Sequence, residues 1–275
     1  MKLLILGIIL ACSATVFGQT DIRKVDFKNF TYSASCAGED ETKITVKNGE
    51  FSKEPKNADD YDKLYFKVFG LVYGDLTGDD KDEAVVLSVC NTGGTGQFTE
   101  GFIYTIKAGK PSLLARIPGG DRADGGLRRV WIENHLLSIE ANDSERAAGA
   151  CCPEGIVTQK VRLSGGKLLD VGSPVKRDLF PVQRVSFARG ASGTDVKLTI
   201  PSEEGKRLVV GARAGQTLTV SLNTDKVSAQ LVEDAEVTES TKGFTARLPK
   251  NGDYTIKLTN YEESPTEIVV TIKIN

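Results

Sequence analysis

The 275-residue chain contains only one histidine, His135. A Ser-His-Asp or Cys-His arrangement would need that histidine beside a nucleophile. In "ENHLL", Asn134 and His135 take the place of the Asn-Gly pair of a hairpin turn, so we expect the His135 side chain to be exposed. The number of histidines also excludes a zinc site built from several of them. The sequence therefore gives little support for nucleophilic catalysis.

The chain also lacks a charge imbalance and, after its first residues, a long apolar run. It has 35 Lys and Arg against 37 Asp and Glu, a formal net charge of −2. This balance provides no electrostatic footprint for nucleic acid or for an anionic membrane surface. No later segment reaches the roughly 20 apolar residues that a transmembrane helix requires. We expect no nucleic-acid partner and no transmembrane segment.

The N-terminus has the pattern of a secretory signal. Lys2 is followed by "LLILGIILACSATVFGQT", a short apolar run and then small residues. This pattern predicts a signal peptide over residues 1–18, cleaved after Gly18. The alternative is a lipid anchor on Cys12, because "ILAC" resembles a lipoprotein box. We therefore expect a periplasmic or secreted protein.

Four cysteines follow the predicted signal peptide: Cys36, Cys90, Cys151 and Cys152. In an oxidising compartment an even number predicts two disulfides, and the paired spacing of a thiolate metal site is missing. A bridge between the adjacent Cys151 and Cys152 would close a strained ring. We therefore expect one of them to pair with Cys36 and the other with Cys90.

Residues after the signal peptide alternate with a period of two, and we find no amphipathic helical stripe. Runs such as "KITVKNGEF" and "DEAVVLSVC" are short and β-rich, and "KNGEF", "KAGKP" and "SGGKL" are hairpin turn signals. The prediction is an all-β protein with an antiparallel β domain over residues 26–171. A proline-containing linker over 172–183 precedes a β-sandwich over 184–275.

The alternation in the last third of the chain identifies the inward faces of the predicted sandwich. Leu218, Val220 and Leu222 share one face of "QTLTVSL". The same pattern places further side chains in the core: Tyr254, Ile256, Leu258, Ile268, Val270, Ile272 and Ile274. Short strands at this spacing predict two packed sheets with a common core.

Three motifs in this region carry a family resemblance. They are "F-x-x-G-x-S" from Phe187, "A-x-A-G-Q-x-L-x-V" over residues 212–220, and "L-P-x-x-G-D-Y-x-I" over 248–256. The region resembles the bacterial β-sandwich shared by pre-peptidase C-terminal-type domains and periplasmic inhibitors of g-type lysozyme. The resemblance implies a fold more than an activity, because most of these positions are turn and core residues.

The acidic loop "GDLTGDDKDE" has the spacing of a calcium site. The predicted oxygen donors are Asp75, Thr77, Asp79, the Lys81 carbonyl and Glu83. The spacing resembles the calcium loops of integrin-type FG-GAP repeats, although it departs from them at Thr77 and at Asp80, where glycine is usual. The alternative interpretation is an acidic hairpin loop closed by Asp side-chain hydrogen bonds.

A second polar segment, "GGDRADGG", offers Asp121, Arg122 and Asp124 as a candidate polar-ligand site, with an ordinary turn as the alternative.

We interpret the chain as an exported non-catalytic protein that binds a protein or an envelope glycan, with lysozyme inhibition as the most concrete version. The alternative is a carbohydrate-active hydrolase that pairs Glu100 with Asp121 or Asp124, since glycosidases need two carboxylates.

Overall fold

A computed structural model describes residues 21–36, 41–55, 63–149 and 151–275. The predicted signal peptide, including Cys12, lies outside the described residues. Within them the regular structure is β-strand, apart from the 3-10 helix Ile22–Lys24. The all-β prediction is confirmed. No helix of the described part is long and apolar enough to cross a membrane.

Twenty strands follow the 3-10 helix. The first ten are β1 (Thr31–Ala34), β2 (Thr42–Thr45), β3 (Glu50–Lys53), β4 (Leu64–Gly74), β5 (Glu83–Asn91), β6 (Phe98–Lys107), β7 (Lys110–Asp121), β8 (Leu127–Glu133), β9 (Leu136–Asn142) and β10 (Gly155–Ser164). The others are β11 (Lys167–Asp178), β12 (Val182–Arg184), β13 (Gly193–Ile200), β14 (Gly205–Ala212), β15 (Thr217–Leu222), β16 (Val227–Leu231), β17 (Glu236–Ser240), β18 (Gly243–Arg247), β19 (Gly252–Asn260) and β20 (Thr266–Ile274).

The chain divides into two compact units. Of the described residues, the first contains those within 21–121, 126–140 and 159–173, and the second contains those within 122–125, 141–158 and 174–275. The predicted linker, 172–183, includes the last residues of β11 and the first of β12. A four-stranded sheet with the order β11-β10-β9-β8 contains residues assigned to both units. The limits predicted for the two domains stay a prediction.

The first unit contains the five-stranded sheet β3-β4-β5-β6-β7, whose described pairs are antiparallel. Its middle strand, β5, is buried along most of its length, because both faces are covered. One face packs against β1, β2 and the segment around Phe27, where Tyr32 is fully buried among aromatic rings. The Tyr32 hydroxyl donates to the Phe27 carbonyl at 2.5 Å, and burial raises the pKa of that hydroxyl far above its usual range.

The second unit contains a β-sandwich. Its sheets have the orders β12-β14-β19-β16 and β13-β20-β15-β18-β17, and side chains from both form one apolar core. All the residues predicted to point inward are buried: Leu218, Val220, Leu222, Tyr254, Ile256, Leu258, Ile268, Val270, Ile272 and Ile274. The edge strand β12 pairs with β14 in parallel, which the alternation did not indicate.

The predicted turn signals form tight turns. In "KNGEF" the turn residues Asn48 and Gly49 both have positive φ, 54° and 86°. Ala108 and Gly109 of "KAGKP" adopt the same left-handed backbone, as a two-residue hairpin with matching twist requires. Alternation and turn chemistry were therefore sufficient to locate these hairpins.

The preferred disulfide pairing is wrong. Cys36 bonds to Cys90, with their Cα atoms 5.4 Å apart, and Cys151 bonds to its neighbour Cys152. Cys36 follows β1 and Cys90 lies on β5, and both elements pack in the core of the first unit. That packing brings the two within bonding distance, and it depends on contacts between β1 and β5 that the local sequence around the cysteines does not show.

We predict that the Cys36–Cys90 bridge is a major source of stability. It joins residues 54 positions apart, and the chain-entropy model assigns about 4 kcal/mol to a loop of that length. The double variant Cys36→Ala, Cys90→Ala should lower the free energy of unfolding by about this amount in urea. The matched control, Cys151→Ser with Cys152→Ser, opens a ring between neighbouring residues and should change stability far less. Equal losses in the two double variants would contradict this assignment.

Candidate functional site

The acidic loop between β4 and β5 is closed by its own hydrogen bonds. The Asp75 carboxylate accepts from the backbone N–H groups of Thr77 (3.1 Å), Gly78 (2.6 Å) and Asp80 (3.0 Å). Asp79 accepts from the Thr77 hydroxyl (3.0 Å) and from the Lys81 N–H (3.1 Å). Asp80 has a φ of 60°, the left-handed backbone expected where glycine is usual. These hydrogen bonds fit the acidic-hairpin interpretation.

Glu83, the last of the predicted calcium ligands, has 1 % of its surface exposed. Its carboxylate accepts from the Leu76 N–H at 2.9 Å and from the Thr105 hydroxyl at 3.1 Å. Burial raises the pKa of Glu83 above its usual range, and these two hydrogen bonds oppose the shift. The Glu83 side chain therefore links the acidic loop, through Leu76, to β6, through Thr105.

Within the described ranges, no group of three or more His, Cys, Asp or Glu side chains is placed to hold a metal ion. Asp75, Asp79 and Glu83 instead each accept hydrogen bonds from protein groups. The calcium site formed by these residues with Thr77 and the Lys81 carbonyl stays a prediction.

His135 is exposed, as its turn position predicted, with 59 % of its side chain accessible. Its Nδ1 lies 3.0 Å from the Asp75 carbonyl and 3.3 Å from the Asp75 carboxylate. Partial burial acts to raise the pKa of Asp75, but the Gly78 and Asp80 N–H groups and the nearby His135 hold it below its usual range. His135 thus borders the acidic loop.

The segment that suggested a polar-ligand site is bound into local structure. The Asp121 carboxylate accepts from the Gln97 N–H at 2.6 Å, and the Arg122 carbonyl accepts from the Asn142 side chain at 2.7 Å. Asp124 is exposed. Asp121 belongs to the first unit and the other two predicted residues to the second. Ligand binding by these residues stays a prediction.

Glu100 lines a pocket of about 320 Å³ in the first unit. Its carboxylate accepts from the Ser35 N–H at 3.0 Å and pairs with Arg116 at 3.2 Å. Burial raises the pKa of Glu100, and the Ser35 N–H and the Arg116 charge oppose that shift. The Arg116 guanidinium also pairs with Glu41 at 2.7 Å. Sequence reasoning missed Arg116 because its partners are distant along the chain.

Two turns of the sandwich are joined by a buried amide. Asn260, at the end of β19, is 0 % exposed. Its two Nδ2–H groups are shared among the carbonyls of Ile200 (3.1 Å), Pro201 (3.0 Å) and Ser264 (3.0 Å). Its Oδ1 accepts from the Glu262 N–H at 3.0 Å. The β13–β14 turn, residues 201–204, is therefore fixed beside the β19–β20 turn, residues 261–265.

The joined turns present an aromatic ring and three acids, which we call the Tyr261 patch: Glu203, Tyr261, Glu262 and Glu263. Tyr261 is 71 % exposed, the largest exposure among the described large hydrophobic residues. The Ser202 hydroxyl donates to the Glu262 carbonyl at 3.0 Å, a second link between the turns. Neither turn contains Lys or Arg. The sequence signal that could have indicated this patch is "NYEESP", an aromatic residue in an otherwise polar turn.

Comparison with known proteins shows a partial structural likeness. No protein-family model and no curated protein matches the chain. PliG of Aeromonas hydrophila, a periplasmic lysozyme inhibitor of g-type lysozyme, aligns with 35 % of this chain and 97 % of its own at 17 % identity and a TM-score of 0.32. A mutant of the Escherichia coli protein of the same description aligns with 35 % of this chain and 99 % of its own, at 18 % identity and a TM-score of 0.30. The Salmonella Typhimurium protein aligns with 34 % and 98 %, at 19 % identity and a TM-score of 0.31.

The spacing of the acidic loop predicts that millimolar calcium raises the melting temperature of demetallated protein, and that magnesium does so poorly. Asp79→Ala should abolish the rise. It is a better test than Asp75→Ala, which also removes the acceptor of three backbone N–H groups and should destabilise the loop with or without calcium. Identical melting curves with calcium and with chelator would leave the loop as an acidic hairpin.

A second prediction concerns pH. Because the folded pKa of Glu83 is raised above 4.5, the folded state binds this proton more tightly, and the contribution of Glu83 to stability falls as pH rises through the folded pKa. Glu83→Gln keeps an acceptor for the Leu76 N–H but does not titrate. Between pH 4.5 and neutrality the free energy of unfolding of Glu83→Gln should therefore rise relative to that of the wild type. Urea unfolding of both proteins at several pH values measures this difference. A difference independent of pH would show that Glu83 does not titrate in this window.

Proposed function

We propose that the chain is an exported, non-catalytic binding protein that binds a basic protein through the Tyr261 patch. The observation that carries the proposal is the exposed Tyr261 ring on a turn fixed by the buried Asn260. Tyrosine is enriched at binding hot spots, since it supplies a large contact area with few rotatable bonds. Export rests on the signal-peptide prediction and implies a periplasmic or secreted location.

Rigidity supports this proposal. Binding costs about 0.5–1.5 kcal/mol for each flexible side chain that becomes ordered, and mobile loops add to that cost. Here the Tyr261 turn is held at its beginning by Glu262 N–H to Asn260, and at its end by Asn260 to the Ser264 carbonyl. A large part of the ordering is therefore complete before a partner arrives.

Charge indicates the kind of partner. Glu262 and Glu263 directly follow Tyr261 in its turn, and Glu203 lies in the adjoining turn, so a Lys or Arg of a partner can meet both a carboxylate and the aromatic face. The neighbouring Glu204 is buried and forms a two-point pair with Arg177, with both N–O distances 2.7 Å, so it belongs to the scaffold. The patch therefore fits a basic protein surface.

The second candidate function is a carbohydrate-active hydrolase. The pocket at Glu100 favours it, because a half-buried carboxyl group with a raised pKa suits a general acid. Its predicted partner carboxylates were Asp121 and Asp124, and neither belongs to the residues that line this pocket. The ion pair of Glu100 with Arg116 fits a structural role equally well.

A g-type lysozyme is the first partner to test, because the sandwich sequence resembles inhibitors of that enzyme. We expect the mature chain to bind and inhibit this enzyme. Tyr261→Ala should raise Kd by about tenfold or more, equivalent to about 1.4 kcal/mol. Glu262→Gln with Glu263→Gln should slow association and reduce its salt dependence. Titration calorimetry and stopped-flow binding would measure these effects.

Val232→Ala is the matched control, because it removes an exposed apolar side chain of the same unit, 57 % accessible. It should leave Kd unchanged. Absence of binding would reject lysozyme as the partner, and equal Kd values for the wild type and Tyr261→Ala would reject the patch. Turnover of peptidoglycan or a glycan, lost in Glu100→Gln, would support the hydrolase instead.

A further inference from the structure

The bonded pair Cys151–Cys152 occupies an exposed turn between β9 and β10. Both residues are exposed, and their Cα atoms are 3.8 Å apart. Loop-closure stabilisation grows with the number of residues enclosed, and this bridge encloses none. The bridge therefore contributes little to stability, and it lies between two exposed residues, which a thiolate in solution can approach.

The turn is held closed without help from the bridge. Backbone hydrogen bonds join Asp143 N–H to the Gly155 carbonyl, Glu154 N–H to the Arg146 carbonyl, and Ala148 N–H to the Cys152 carbonyl, each at 2.9 Å. Because these bonds do not involve the sulfur atoms, opening the bridge leaves them available. The base of the turn can stay folded in both redox states.

Ion pairs add to the support of this turn. Lys176 on β11 pairs with Glu145 at 2.5 Å and with the buried Asp143 at 3.4 Å. Arg207 on β14 pairs with Glu154 at 2.5 Å. The sulfur pair thus sits at the tip of a turn whose base is attached to neighbouring strands.

The Cys36–Cys90 bridge is less accessible, although Cys36 is half-buried and borders the pocket at Glu100. Cys90 is 1 % exposed and packs in the apolar core, and the bridge joins residues 54 positions apart. Thiol–disulfide exchange requires access of the thiolate to a sulfur atom. The two bridges of this chain should therefore differ sharply in reactivity while the protein stays folded.

We propose that Cys151 and Cys152 form a thiol–disulfide exchange site that reacts with dithiol reductants. A thiolate of the dithiol attacks one sulfur, breaks the Cys151–Cys152 bond and forms a mixed disulfide. The second thiol of the reductant then displaces that cysteine. The protein gains two electrons and two protons as a pair of thiols, and the reductant leaves as a cyclic disulfide.

Native-state reduction tests this proposal. Full-length mature protein is incubated with graded dithiothreitol, alkylated without denaturant and mapped by mass spectrometry. We expect Cys151 and Cys152 to be alkylated at about tenfold or more lower reductant than Cys36 and Cys90, with an unchanged circular dichroism spectrum. Equal reductant midpoints for the two bridges, or alkylation of Cys151 and Cys152 only when the spectrum is lost, would overturn the proposal.

A monothiol provides the second measurement. When glutathione opens the wild-type bridge, the released thiol stays on the neighbouring residue and can expel the glutathione, so no lasting adduct is expected. Cys152→Ser has no such resolving thiol and should retain glutathione on Cys151 when treated with glutathione disulfide. A stable adduct on the wild type, or none on Cys152→Ser, would contradict exchange within the pair.

Discussion

Each sheet of this protein needs another layer over at least one face, and the described chain has no α-helix to supply it. In the second unit the two sheets cover each other and share one core. In the first unit, the aromatic side chains of Phe27, Phe30 and Tyr32 cover β4, β5 and β6. Burial of apolar surface contributes about 25 cal/mol per Å², so the period of two decides which residues are committed to the core. Both sites proposed above, the Tyr261 patch and the Cys151–Cys152 pair, accordingly lie in turns.

Polar groups inside this apolar arrangement fix the shapes of the turns. A buried amide or carboxyl group is costly unless it is hydrogen-bonded. Asn260 meets this requirement by binding carbonyls from two turns, and Glu83 by binding the Leu76 N–H and the Thr105 hydroxyl. An alternative turn conformation would leave those groups unpaired. Each buried polar side chain therefore specifies one turn geometry more strongly than apolar packing alone does.

Sequence patterns predicted the parts of the structure that depend on near neighbours. Alternation identified the inward faces of β15, β19 and β20, and turn chemistry identified hairpins such as that at Asn48 and Gly49. The pairing of Cys36 with Cys90 was missed because it depends on how β1 packs against the sheet. Asn260 and Pro201 are likewise 59 positions apart, so nothing in the local sequence shows that their turns meet.

The supports beneath the two proposed sites differ in their response to solution conditions. Asn260 is a neutral, fully buried amide, so neither salt nor pH weakens its hydrogen bonds directly. The turn that carries Cys151 and Cys152 is supported partly by exposed ion pairs such as Lys176–Glu145, and salt screens these. The Tyr261 patch should accordingly keep its shape in high salt while the attraction of its carboxylates for a basic partner declines. A loss of affinity with rising salt therefore reports charge rather than a change in the turn.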